Sequence, residues 1–203
     1  MDRQECSSEL IKRLELVVVG ASSGGLETLI EFLQALPEQY QVPTVVVLHQ
    51  RANRVSGVPE MLSKYTHLKV VEPEDKQKIE TGCMYIAPPN YHLLIDADHS
   101  IALSLDAPLN YSRPSIDMAF ISASEVYEQH LAGCIFTGAN SDGADGCVAI
   151  KRNGGTVFVQ DPVEASVDTM PLSAIKAVRV DGVLSIHEIA GRLVKMGARS
   201  NAS

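Results

Sequence analysis

V-V-V-G-A-S-S-G-G, residues Val17 to Gly25, decides how the rest of the chain is read. Three β-branched residues run into a glycine, two serines and two more glycines. Leu26, Leu29, Ile30, Leu33 and Leu36 then recur at helical spacing. The pattern is a buried strand, a tight turn and a helix start. Within the turn, Gly20-Ala21-Ser22-Ser23-Gly24 fits the G-x-S-x-G register of a nucleophile elbow. A hydroxyl there is exposed at the rim of a sheet, close to the unpaired N–H groups of a helix. Those properties suit a nucleophile, a phosphate-binding loop and a helix cap alike, so the motif alone leaves all three open. The register favours Ser22 as nucleophile; in the other assignment Ser23 attacks and Ser22 caps.

Working outward, Leu16–Val19, Thr44–Leu48, Gly133–Phe136 and Thr156–Val159 are continuous apolar runs of strand length. Helical patterns separate them at Leu26–Leu36, Val58–Tyr65, Ile116–Tyr127, Gly143–Arg152 and Ser173–Ala177. A short strand near Val180–Leu184 and a last helix over Ile186–Met196 complete the series. Alternating β and α with strands apolar on both faces predicts an α/β fold: a doubly wound, mostly parallel sheet covered by helices on both sides. The middle differs. Lys69–Val71, Met84–Ile86, His92–Ile95 and Ile101–Leu103 are short candidates spaced by turn residues. They predict antiparallel hairpins extending the sheet at one edge. Residues 1–203 read as one domain with an ordered core over about 15–196, and Met1–Arg13 and Ser200–Ser203 as frayed ends.

Charge and cysteine usage narrow the partners. A net charge of −8 argues against nucleic acid, which needs clustered Lys and Arg, and against docking on an anionic membrane. No apolar run is long enough for a transmembrane helix, so no membrane insertion is expected. Cys6, Cys83, Cys134 and Cys147 show no C-x-x-C pairing, and no secretory h-region precedes the first strand. The expectation is a cytoplasmic protein with free thiols. His92, Asp96, Asp98 and His99 could imitate a metal site, but an aspartate-rich turn explains them more simply, and no metal is expected. His67, His99, His130 and His187 read as solvated.

In open α/β sheets ligands gather at the carboxyl ends of strands. Ser22 follows the first strand, His49 the second, and Thr137-Gly138-Ala139-Asn140-Ser141-Asp142-Gly143 a third. A hydroxyl, an imidazole and a carboxylate at one rim are what a nucleophile, a base and its orienting acid require. The order Ser–His–Asp differs from the Ser–Asp–His of ordinary α/β-hydrolases. Asp142 and Asp145, each before a glycine, also suit turns or helix caps. A dinucleotide site fails, because Gly20, Gly24 and Gly25 miss G-x-G-x-x-G and no acid closes the second strand. A Walker A loop fails for want of G-K-[ST]. No cofactor is expected.

Six segments occur in order: Gly20–Gly25, His49 at its strand end, Tyr85-Ile86-Ala87-Pro88, Arg113-Pro114-Ser115-Ile116-Asp117, Thr137-Gly138 through Asp142-Gly143, and Met170-Pro171. Together they resemble the catalytic domain of the chemotaxis protein-glutamate methylesterases (CheB-type). The resemblance covers residues 15 to 196 or so. It implies hydrolysis of γ-glutamyl methyl esters on cytoplasmic chemoreceptor helices, and deamidation of receptor glutamines. It places the family's serine on Ser22, its histidine on His49, its aspartate on Asp142, and its oxyanion donors on the backbone N–H groups of Ser23 and Ala139. Departures stand beside it. The family commonly has Gln-His-Met where this chain has Leu48-His49-Gln50, and Met-Gly-Asn-Asp-Gly where it has Ala139-Asn140-Ser141-Asp142-Gly143. No receiver domain is read in these residues. The R-P-S-x-D segment reads as a helix entry capped by Ser115, with Arg113 a candidate to face an anionic receptor helix. The rivals are a non-catalytic receptor-binding module and a hydrolase of another small ester.

Overall fold

The computed structural model describes residues 13–49, 57–109 and 112–198. Its centre is β1 (Leu16–Ala21), buried at every position. β1 pairs in parallel with β2 (Thr44–Leu48) on one side and β7 (Leu131–Ile135) on the other. Strands flanked on both sides and covered on both faces see no water, which is why they are unbroken apolar runs. The sheet continues through β4 (Cys83–Ile86) to β3 (Lys69–Val71) at one edge, and through β8 (Thr156–Gln160) to β9 (Gly182–Leu184) at the other. All seven strands run parallel, in the order β3-β4-β2-β1-β7-β8-β9.

Helices cover both faces, as the alternation predicts. On one, Leu29, Phe32 and Leu33 of α1 (Gly25–Ala35) pack with Ile189, Ala190 and Leu193 of α6 (Ile186–Ala198). Leu62 of the short α2 (Val58–Leu62) joins them. On the other, α3 (Ile116–Tyr127), α4 (Ala144–Arg152) and α5 (Thr169–Ala177) bury Ile116, Phe120, Ile150 and Ala174. α3 and α4 approach closely: a Cβ on Gly146 would lie 2.5 Å from Phe120 Cβ.

The middle of the chain departs from the reading above. Lys69–Val71 and Met84–Ile86 are parallel members of the main sheet, not hairpin strands. The turn residues around Thr81-Gly82 belong instead to a crossover from β3 to β4. Buried Tyr85 ties it down: its hydroxyl accepts from Glu80 N (2.9 Å) and donates to Lys78 O (3.1 Å). One antiparallel hairpin remains, β5 (His92–Ile95) with β6 (Ile101–Ser104). It is a separate two-stranded sheet rather than a bonded extension of the edge. Leu93, Ile95 and Ile101 bury into the same core as α3, and Ser122 Oγ of α3 accepts from Ile95 N (3.0 Å). The expected frayed ends, Arg13 apart, and Cys6 lie outside the described residues. Cys83, Cys134 and Cys147 are buried and unpaired.

The order in which strands are added reverses between β1 and β7: β2 to β4 lie on one side of β1, and β7 to β9 on the other. Such a switch leaves a crevice at the carboxyl ends of the two strands. Ser22 and residues 137–142 lie there.

Candidate active site

Main-chain bonds lace the three strand ends together. His49 N donates to Ala21 O (3.0 Å), Ser22 N to Thr137 O (2.9 Å) and Phe136 N to Gly20 O (2.9 Å). The elbow needs its glycines. Gly24, the N-cap of α1, has φ 77°, and a Cβ there would meet Ser166 Cβ at 2.6 Å. A Cβ on Gly138 would lie 3.0 Å from Ser22 Cβ and 2.5 Å from Met170 Cε, so Ser22 rests against the loop after β7. Thr137 holds both walls: its Oγ1 donates to Ser23 O (2.8 Å) and accepts from Val167 N (2.8 Å), while Gln160 Oε1 accepts from Thr137 N (2.8 Å).

His49 Nε2 donates to Asp142 Oδ2 at 2.9 Å, with 12% of the imidazole and 1% of the carboxylate side chain exposed. Asp142 is acceptor for three further donors: Ile116 N at 2.8 Å on Oδ2, Asp117 N at 2.9 Å and Ser115 Oγ at 3.0 Å on Oδ1. Two of these are first-turn N–H groups of α3, so the carboxylate sits at the positive end of that helix. Burial pushes the Asp142 carboxyl up. The bonds from His49, Asp117 N and Ile116 N outweigh it and hold the group below the usual carboxylate range.

Asp117 returns the arrangement. Its Oδ1 accepts from Gly143 N (2.9 Å) and Gly146 N (2.7 Å), capping α4, whose own N-cap Gly143 has no side chain. Burial, aided by the neighbouring Asp142 charge, pushes the Asp117 carboxyl up to about 7. Two buried carboxylates thus cap each other's helices and titrate in opposite directions.

Of the residues singled out from sequence, Ser22, His49 and Asp142 come to one rim, while Asp145 is exposed on α4 outside this network. Among the described residues, no hydrogen bond joins Ser22 Oγ to His49. Neither Ser23 N nor Ala139 N has an acceptor among the described residues. Ser115 caps α3, accepting from Met118 N at 3.4 Å. Its further bond to Asp142 makes the R-P-S-x-D helix entry part of the site, a role with no local signature. Arg113 Nη1 donates to Leu105 O and Asp106 O, both at 3.0 Å, bracing the loop after β6. His92 is fully buried and structural. Its Nδ1 accepts from Ser115 N (3.2 Å) and its Nε2 donates to Ala107 O (3.2 Å), behind the Asp142 contacts. Asp96 and Asp98 instead pair with Lys76 (2.6 Å) and Lys78 (2.7 Å). Among the described residues no cluster of three or more His, Cys, Asp or Glu is arranged to hold a metal.

With this geometry in hand, comparison with known proteins decides the family. The family model described as CheB methylesterase matches residues 17–193. The chain belongs to the CheB methylesterase family. A Leptospira interrogans relative, provisionally named protein-glutamate methylesterase/protein-glutamine glutaminase, is 46% identical over 182 residues, covering 90% of this chain and 94% of its own. A Clostridium acetobutylicum protein of that name is 30% identical, covering 96% of this chain but 56% of its own length. The solved catalytic domain of Thermotoga maritima CheB methylesterase superposes with a TM-score of 0.85 at 31% identity, over 90% of this chain and 98% of that one. Membership in the CheB family accords with the order of motifs from the elbow to Met170-Pro171. No helix among the described residues is long and apolar enough to cross a membrane.

Proposed function

We propose that this chain is a protein-glutamate methylesterase that hydrolyses γ-glutamyl methyl esters on the cytoplasmic helices of chemoreceptors, and that it also deamidates receptor glutamines. The observation that carries the reading is His49 held 2.9 Å from buried Asp142 at the rim where the Ser22 elbow lies. Names borne by its relatives supply the substrate class.

With Nε2–H given to Asp142, the nitrogen left to act as base is Nδ1. This reverses the usual Ser-His-Asp assignment, in which Nδ1 faces the acid. Ser22 Oγ attacks the ester carbonyl carbon as its proton passes to His49 Nδ1. Asp142 stabilises the imidazolium that results. The backbone N–H groups of Ser23 and Ala139 receive the oxyanion, each donor contributing about 3 kcal/mol in sites of this kind. The imidazolium then protonates the departing methoxide, giving methanol and an acyl-Ser22 ester. His49 deprotonates a water, whose oxygen attacks that ester; on collapse the imidazolium returns its proton to Ser22 Oγ, and the glutamic acid released ionises to the carboxylate, giving its proton to solvent. With a glutamine substrate the first leaving group is ammonia.

Ser22→Ala abolishes methanol release from a methylated receptor while leaving the circular dichroism spectrum unchanged. A serine-reactive phosphonate labels the parent at Ser22 alone. Full activity in Ser22→Ala refutes the assignment. A parent that binds receptor but neither releases methanol nor takes the label is the non-catalytic binding module.

A further inference from the structure

Asn140 touches the one ring nitrogen that the reaction above has to use. Its Nδ2 lies 3.3 Å from His49 Nδ1, and its Oδ1 accepts from Asp142 N at 3.2 Å. That second bond fixes which way the amide faces. An oxygen committed to a backbone N–H leaves the NH₂ group, and only that group, for the imidazole. The imidazole is fixed too: an ionised Asp142 only accepts, so Nε2 carries the proton and Nδ1 is a bare lone pair. The Asn140 amide therefore donates into the lone pair that must receive the Ser22 proton. Ser22 Oγ has no bond to His49 among the described residues, as expected where that lone pair is already engaged.

We propose that Asn140 is a positioning residue that keeps Nδ1 of His49 occupied and the imidazole oriented until substrate brings Ser22 onto it. The proposal rests on the esterase reading above. Two consequences follow from donor and acceptor chemistry. Once Nδ1 takes the Ser22 proton, it and the amide are both donors, so Asn140 must release the ring during attack. Removing the amide frees the lone pair; reversing its polarity blocks it. In Asn140→Asp, one carboxylate oxygen still accepts from Asp142 N, but the other now accepts from the imidazole and draws a proton onto Nδ1.

The test compares parent, Asn140→Ala and Asn140→Asp by ¹⁵N NMR of labelled histidine, by phosphonate labelling of Ser22 and by methanol release. The parent shows Nε2 protonated and Nδ1 bare but hydrogen-bonded. Asn140→Ala keeps that tautomer with the hydrogen-bond shift of Nδ1 lost, and raises labelling and kcat/KM by roughly two- to tenfold, the equivalent of one neutral hydrogen bond. Asn140→Asp shows a protonated Nδ1 and lowers kcat by roughly a hundredfold, the lower end of what positioned proton transfer contributes, with KM little changed. A residue that merely shapes the loop gives another pattern: the isosteric aspartate behaves as the parent and the alanine is the poorer enzyme. That pattern, or an Nδ1 resonance identical in all three proteins, overturns the proposal. If the aspartate variant fails to fold, the Asn140→Ala resonance and labelling rate decide alone. A parent inactive in both assays defeats the esterase reading, while the NMR spectra still judge Asn140.

Discussion

Asp142→Asn tests the site and the fold together, because one carboxylate serves both. Each Asp142 oxygen accepts two bonds: His49 Nε2 and Ile116 N on Oδ2, Ser115 Oγ and Asp117 N on Oδ1. An amide offers one oxygen and one NH₂. With its oxygen toward His49, the NH₂ faces Asp117 N–H, while Ser115 can turn its hydroxyl to accept. With its oxygen toward Ser115, the NH₂ faces Ile116 N–H, and the imidazole must move its proton to Nδ1. Either orientation strands one buried backbone donor, which costs about 2 kcal/mol. For a chain of this length that is roughly 4–8 °C in Tm. Either orientation also removes the anion beside the imidazolium, and the second leaves the wrong tautomer. Methanol release should fall by roughly two to four orders of magnitude. Rates on a methylated receptor, beside thermal unfolding of the same preparations, give both numbers. A variant within about tenfold of the parent in kcat removes Asp142 from the chemistry. An unchanged Tm refutes the account of it as the cap of α3.

Further outcomes follow from the same contacts. Asp117 titrates upward on folding, so its contribution to stability is greatest at acid pH and is lost as pH rises from 3.8 to about 7. Asp117→Asn keeps an acceptor for Gly143 N and Gly146 N but cannot ionise. It should unfold at higher urea than the parent at pH 8, with the difference shrinking as pH falls and vanishing only below the unfolded value of 3.8. Asp142 is shifted the other way, so its contribution is present above the usual carboxylate range and is lost as pH falls through its depressed folded value. The two contributions of the parent should therefore be jointly greatest near the ordinary carboxylate value of 3.8, and urea unfolding should show them falling away on either side. Gly146→Ala places a Cβ 2.5 Å from Phe120 Cβ, an atom that cannot move without its helix, and should cost about 1–3 kcal/mol by urea unfolding. Gly138→Ala presses on the flexible Met170 tip and on Ser22 Cβ. Its Tm should change less than that of Gly146→Ala, while phosphonate labelling of Ser22 slows.

Much of this molecule is legible in one dimension. Thr44–Leu48 and Ile116–Tyr127 are read from sequence at their observed bounds, because a buried parallel strand and a capped amphipathic helix each leave a local pattern. The same holds for Ser22 and His49, which follow directly on their strands. The middle is harder. Lys69–Val71 and Cys83–Ile86 have strand length and flanking turn residues, but nothing local says whether the next strand returns antiparallel or crosses over. In the folded chain the crossover is anchored by Tyr85, whose ring is buried and whose hydroxyl bonds to Lys78 and Glu80.

The sequence by itself determined which chemical groups stand at the rim, because period and turn chemistry act between neighbours in the chain. Only the tertiary structure decided how those groups are held. Asp142 meets α3 across 25 or more positions, Asp117 answers at α4, and His92 steadies Ser115 from a separate hairpin. Asn140 reaches the imidazole across 91 positions. Hydrogen bonds between groups so far apart in the chain exist only once both helices and the hairpin have packed on the sheet. No local pattern could record that His49 turns Nε2, and not Nδ1, toward its acid.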